Sequence, residues 1–209
     1  MVLGMEQATT EQKIISAAIR EFAHNGFAGA RIDRIAKQAR INKAMIYYHF
    51  RGKEALYERV LFDKFKGIMD SIEESYIGGD DPLAELYASI RNYVKYITSL
   101  DADVIRIILR EISGGGKYFK KIALPTLIVP IHARVIAIIE DCQRRGLIRE
   151  VNPHYLFFQT VGAINFFNIM RLALGDSGLV DFLKNEETVE EYTQTIIDTL
   201  RMGVQAKEV

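Results

Sequence analysis

Between Arg31 and Lys53 the chain carries seven basic side chains, Arg31, Arg34, Lys37, Arg40, Lys43, Arg51 and Lys53, against one acid, Asp33. Cations at that density suit charge-assisted hydrogen bonds to a polyanion, and above all to the phosphates and base edges of DNA. The other residue types that do chemistry form no comparable set. Glu73-Glu74, Asp80-Asp81 and Glu186-Glu187 are adjacent acids read as caps and solvated charge. His132 and His154 stand alone, without the spacing of a metal pair on one helix. The single cysteine, Cys142, excludes an internal disulfide framework and a cysteine-based metal cluster, and fits a reducing compartment. Gly114-Gly115-Gly116 lacks the preceding strand and the following Lys-Ser/Thr of a phosphate loop. No catalytic set, metal or cofactor is expected.

The basic segment reads as two short helices joined by a sharp turn. Ile32, Ile35, Ala36 and Ala39 recur at helical spacing and make one apolar face, with Arg31, Arg34, Lys37 and Gln38 turned away from it. Arg40-Ile41-Asn42 is the turn. Asn42 is the N-cap of the next helix, Lys43 to about Phe50, and Ile41 is placed to staple onto Ile46. Ile46 and Phe50 point inward. That helix has no acid and offers its N-terminus, so it fits a major groove. Lys43, Ala44, Met45 and Tyr48 are the candidate base readers. Tyr47, His49, Arg51 and Lys53 are placed for phosphate, Arg31 and Arg34 for the flanking backbone, and Arg40 and Asn42 complete the surface. Packing between helices is the alternative role for Tyr47 and Tyr48, and a solvated face the alternative for Arg34 and Lys37.

The rest of the chain positions this segment. Thr9 and Gln12 fit a capping box opening a helix from about Thr10 to His24, which Asn25-Gly26 ends. A long helix begins at Lys53, with Gly67 weakening its middle. The run from Gly78 to Pro82 is punctuation, with Asp81 capping and Pro82 at the first helical position. Further helices are expected to Leu100, from Ala102 to Ile112, from Pro130 to Arg145 after a break or kink caused by Pro125 and Pro130, from Asn152-Pro153 to Leu174, and from Glu187 or Thr188 to Met202. Strand signals are absent, so the chain is all-α with about nine helices. Residues 1–8 show no pattern. Residues 1–60 hold ten Lys or Arg and six Asp or Glu, while the net charge of all 209 residues is zero, so a basic first quarter meets an acidic remainder. No apolar run approaches the roughly 20 residues of a membrane span, and no signal peptide is seen. The expectation is a cytoplasmic protein without a membrane partner.

Several stretches together resemble the TetR family of bacterial transcriptional regulators: Phe22-Ala23-His24-Asn25-Gly26-Phe27, Ile35-Ala36-Lys37-Gln38-Ala39, Ile41-Asn42-Lys43, Ile46-Tyr47-Tyr48-His49-Phe50 and Lys53-Glu54-Ala55-Leu56. About 50 residues carry the resemblance; the remainder is similar only in helix count. Three positions depart from the pattern: Arg40 where the family prefers glycine, Ala30-Arg31 in place of a threonine cap, and Gly52 where serine often caps. The resemblance implies a helix-turn-helix DNA-binding domain over residues 1–56 and a helical ligand-binding and dimerisation domain over 57–209. It implies a repressor that binds a palindromic operator in double-stranded DNA as a homodimer, through the last two long helices, and that responds to a small effector. The first of those helices, apolar on nearly every side, calls for a partner on the face its own chain leaves open. Phe65, Met69, Tyr87, Tyr93, Tyr96, Ile107, Ile131, His132, Val135, Phe158 and Asn165 are candidate linings of a largely hydrophobic effector pocket, with core packing the alternative for each. Two other classes stay open on the residues alone: a DNA-processing enzyme of the recombinase or transposase type, and a helical adaptor for another protein.

Overall fold

The computed structural model describes residues 9–74, 80–174, 183 and 185–204. The expected arm at 1–8 and the glycine pair at 78–79 lie outside them. The described residues form nine α-helices and one π-helical stretch: α1 Thr10–Gly29, α2 Ile32–Ala39, α3 Lys43–Phe50, α4 Lys53–Glu73, α5 Pro82–Ser99, α6 Ala102–Ser113, the π stretch Phe119–Ile128, α7 Val129–Arg144, α8 Pro153–Leu174 and α9 Glu186–Val204.

Local chemistry sets most boundaries. The Thr9–Gln12 capping box is complete in both directions at α1. Asp81 accepts from Leu83 and Ala84 N–H with Pro82 behind it, and Asp101 caps α6 through Asp103 N–H. Helix α1 is interrupted at Asn25-Gly26, where the sequence places its end, and a second short segment continues to Gly29 across that kink. Only Gly26 leaves helical geometry (φ 64°, ψ 174°), and one more turn follows it. Gly67 serves close approach: a Cβ there would lie 2.1 Å from the Tyr96 hydroxyl. Of the break or kink expected at the prolines, the structure shows a change of helical register without a chain break. Pro125 sits inside the π stretch and Pro130 in the first turn of α7. The π turn bonds i to i+5, so the ring avoids the i−4 carbonyl it would strike in an α-helix.

The chain divides into two compact units, residues 1–65 with 101–124, and residues 66–100 with 125–209. The packed division thus cuts through α4 and adds α6 to the first unit, beyond the motif boundary at residue 56. In the first unit α1 packs on α2 and α6, around Ile14, Phe22, Ile35, Ile46, Leu56, Leu61 and Ile107. In the second, α5 packs on α7, α8 and α9, around Leu86, Ile90, Val94, Ile139, Cys142, Leu156, Ile164 and Ile197. Contrary to the sequence reading, Phe119–Arg144 is long and apolar enough by length and composition to cross a membrane, with a window of mean hydropathy 2.0. Its Ile122, Ala123, Leu127, Ile131, Ile136, Ile138, Ile139 and Cys142 are buried in the fold, while Leu124 and Val129 are exposed.

Candidate nucleic-acid interface and apolar cavity

Helix α3 is held by its apolar side and presents the other. Ile46 and Phe50 are buried, while Tyr48 is 80% and Tyr47 49% exposed. Lys43 and Ala44 are exposed, with Met45 and His49 half-buried. Asn42 Oδ1 accepts from Ala44 N–H at 2.9 Å, fixing the helix start. Tyr48 stacks edge-on against His49. Arg40 takes the left-handed conformation that the family's glycine would supply (φ 56°, ψ 45°) and closes α2 through its N–H to the Ala36 and Lys37 carbonyls. For a residue with a Cβ this costs about 1 kcal/mol. Arg51 is also left-handed, at φ 58°.

The missing cap of α2 is supplied from α1. Glu21, only 2% exposed, accepts from the Arg31 backbone N–H at 3.0 Å, from Arg34 Nε at 2.7 Å and from Gln38 Nε2 at 3.4 Å. Arg34 also donates to the Gly29 carbonyl at 2.6 Å. The sequence reading left the start of α2 unsatisfied and put Arg34 on DNA backbone; in the structure Arg34 is framework. The signal available for Glu21 was its place on the apolar face of α1, seven residues after Ile14 and in line with Ala17 and Ala18, where an acid needs partners.

Lys53 is likewise engaged by the framework. Its ammonium donates to the Ala28 and Ala30 carbonyls at 3.3 and 3.1 Å and lies 4.7 Å over the Phe27 ring. It ties the start of α4 to the α1–α2 junction. Lys43 pairs with Asp33 at 2.7 Å. Their shared hydrogen bond lowers the Asp33 pKa and raises that of Lys43. Arg31, Lys37, Arg40 and Arg51 are exposed and have no carboxylate partner among the described residues. Lys13 and Arg20, which the sequence reading passed over, line a groove with Thr10, Gln12, Ser16, Gln38 and Arg40. Three cations and no acid therefore border the turn from the α1 side.

Deeper in the first unit, Tyr57 donates to Glu111 at 3.0 Å and Tyr118 to Glu54 at 2.9 Å. Phe22, Phe27, Tyr57 and Tyr118 form one aromatic cluster. Burial, then the Glu111 carboxylate, raises the Tyr57 pKa. This network fixes α4 and α6 behind the basic helices.

The second unit encloses a cavity of about 100 Å³ lined by Ile68, Ile72, Leu86, Ser89, Ile90, Tyr93, Leu127, Ile128, Ile131, Val135, Ile139, Leu156, Phe157, Thr160, Val161, Ile164 and Leu200. Of the candidate linings, Tyr93, Ile131 and Val135 reach it. Phe65 and Ile107 belong to the first unit, where both are buried. Met69, Tyr87, Tyr96, His132, Phe158 and Asn165 do not line it, because helical spacing alone does not say which of several faces meets a void. Phe158 in particular is 62% exposed. Asn165 supports the wall indirectly by bonding the Tyr93 hydroxyl. Burial pushes the Tyr93 pKa up to about 12. His132 and His154, isolated in sequence, meet across α7 and α8 with ring nitrogens 3.0 Å apart.

Helix α8 buries Leu156, Phe157, Ile164 and Asn168. Its opposite side leaves Tyr155, Phe158 and Phe166 exposed, with Gly162 and Ala163 exposed between them. The described residues hold no group of three or more His, Cys, Asp or Glu side chains disposed to bind a metal.

A model of the family described as bacterial regulatory proteins, tetR family, matches residues 14–60. The HTH-type transcriptional repressor SCO4008 of Streptomyces coelicolor is 32% identical over 149 residues, 69% of this chain and 70% of that protein. The HTH-type transcriptional repressor NicS of Pseudomonas putida is 27% identical over 208 residues, 97% of this chain and 96% of its own length. The solved structure of the ketosteroid transcriptional regulator KstR2 of Mycobacterium tuberculosis shares the fold with a TM-score of 0.73, at 13% identity, covering 99% of this chain and 100% of that one.

Proposed function

The chain belongs to the TetR family of bacterial regulatory proteins, and from that premise we propose that it is a cytoplasmic repressor that grips a palindromic operator as a homodimer and releases it when a small apolar effector binds. The observation that carries the DNA-reading role is the presentation of α3. Its inner residues are locked, its N-terminus is capped, and Lys43, Ala44, Tyr47 and Tyr48 stand out on a helix that carries no acid of its own, with the exposed Asp33 of α2 paired to Lys43. Arg31, Lys37, Arg40 and Arg51 contact phosphate, joined by Lys13 and Arg20 from α1. Residues 1–56 form the reading head, and residues 57–209 the effector and dimer domain.

Dimerisation rests on α8 and α9. The exposed Tyr155, Phe158 and Phe166 are an apolar surface that a second copy covers, with Gly162 and Ala163 admitting close approach. The effector enters the cavity of the second unit, and its affinity differs between the DNA-fitting and non-fitting forms, without which it shifts nothing. Selection of bound duplexes from a random library tests this reading. A two-fold symmetric consensus with half-sites about one helical turn apart is expected. Binding without sequence preference contradicts it.

A further inference from the structure

The inner face of α8 changes character along its length. Phe157, Thr160, Val161 and Ile164 wall the apolar cavity. Next comes Asn168, 1% exposed, which donates to the Ile97 carbonyl at 3.1 Å. Beyond it, Arg171 donates through Nη2 to the Thr98 carbonyl at 2.7 Å and to Asn168 Oδ1 at 3.2 Å. The Nε–H of Arg171 is buried and donates to nothing among the described residues. No carboxylate of the described residues pairs with this guanidinium.

Arg171 as a whole is half-buried, but a guanidinium N–H taken out of water is costly unless it is hydrogen-bonded. The carbonyl end of α5 supplies partial negative charge, which meets Nη2 and leaves Nε–H unmet. An arginine is a poor choice for packing alone, since a methionine fills such a space without a charge. Side chains on a helix lean toward its N-terminus, and the bond to Asn168 shows this lean. The guanidinium therefore lies over the turn at residue 168, about 6 Å along the axis from Ile164 at the cavity wall. The Tyr93–Asn165 pair stands at the same end. Tyr93 lines the cavity, and its hydroxyl exchanges hydrogen bonds with Asn165 at 2.9 and 3.2 Å.

We propose that Arg171 is an anion anchor at the end of this cavity, and that the ligand is a small monocarboxylate. Its apolar body fills the cavity, and its carboxylate takes the Nε–H beside the Tyr93–Asn165 layer. One unmet donor suits a single carboxylate; a phosphate, with more oxygens and more charge, needs more donors than this end offers. Size restricts the body. An apolar cavity of roughly 150 Å³ accepts benzene, so about 100 Å³ matches a short acyl chain or one ring with slight widening. This assignment rests on the reading of the second unit as the effector domain and adds the head-group chemistry.

Calorimetric titration of the full chain with hexanoate, hexanamide, benzoate and benzamide tests it. The acids bind the unaltered protein at least tenfold more tightly than the matched amides. Arg171→Met binds acid and amide alike, at the amide level. Arg171→Lys, which keeps the charge but lacks the Nε–H, loses most of the preference and serves if the methionine variant does not fold. A purely structural arginine would lower the melting temperature and leave the acid-to-amide ratio intact. Equal binding of acid and amide, no binding of either, or full preference in the lysine variant overturns the proposal. Operator release is read separately: acids that bind through Arg171 without releasing DNA contradict the effector mechanism and leave the anchor standing.

Discussion

The two units handle polar groups in opposite ways. The first is built on directional charge: Glu21 is buried and ties together Arg34, Gln38 and the Arg31 N–H, while Lys53 ties α4 to the carbonyls of Ala28 and Ala30. The second, apart from the half-buried Arg171, encloses polar groups that remain uncharged. Cys142 is fully enclosed, with its thiol pKa pushed up to about 11 by burial, and Tyr93 is pushed up to about 12 in the same way. Directional bonds hold a shape to fractions of an ångström, as a surface that must match DNA requires. Apolar packing tolerates a void, as a site for a small molecule requires.

Charge placed on the exposed apolar stripe of the second unit has the largest expected effect. Phe166→Glu puts an unpaired carboxylate from each chain into the partner surface, at a cost of about 3–5 kcal/mol per buried charge. Sedimentation velocity is expected to show a monomer at micromolar concentration, with palindrome affinity down by on the order of a hundredfold. A dimer of unchanged stability would move the partner surface elsewhere.

Next is Glu21→Ala, which strands Arg34 and uncaps α2. Urea unfolding is expected to show a loss of about 3 kcal/mol. A loss below ~1 kcal/mol would mean that directional charge does not organise the first unit.

Alkaline pH probes the second unit. The unfolded chain releases the Cys142 proton from its ordinary value of 9.0, and the folded chain holds it to about 11. Stability is therefore whole below pH 9 and falls as pH rises toward 11, by about 2 kcal/mol from this thiol. Tyr93 extends the decline from pH 10 to about 12. Denaturant midpoints measured across that range are expected to fall, and Cys142→Ala is expected to flatten the first part of the curve.

Two lysine and arginine variants sharpen the division inside the first unit. Arg51→Ala is expected to weaken binding to every duplex and reduce the salt slope by about 1. Lys53→Ala is expected to lower the Tm while leaving the slope nearly unchanged. Equal slopes for both would return Lys53 to the phosphate contacts. The smallest effect belongs to Asp33→Asn. Freeing Lys43 from a solvent-screened ion pair is expected to tighten binding to all duplexes by up to about fivefold, read by fluorescence anisotropy.

The same contrast governs what could be read in the sequence. The Thr9 box, the Asn42 cap and the inward Ile46 and Phe50 are local, set by residues three or four apart, and the structure has them as read. Arg40 was identified as the misfit of the turn and does adopt the strained backbone. What escaped was non-local. Glu21 reaches α2 from ten positions away, and no spacing rule pairs a helix-interior acid with a distant N–H. Lys53 looked free because its partners are backbone carbonyls, invisible in composition. The cavity lining was legible only in part. Aromatic and methionine side chains mark core generally, and the void is walled mainly by isoleucine, leucine and valine, which carry no distinguishing signal. The π register that carries Pro125 was likewise hidden, because proline reads as a break unless the turn widens around it.

The central claim is that α3 reads bases while the surrounding cations hold the backbone. Repeating the duplex selection with Lys43→Ala and Arg51→Ala tests it most directly. Lys43→Ala is expected to change the preferred bases at one position of each half-site, while Arg51→Ala yields the original consensus at lower affinity. An unchanged consensus for Lys43→Ala, and equally for Ala44 and Tyr48 variants, would contradict it.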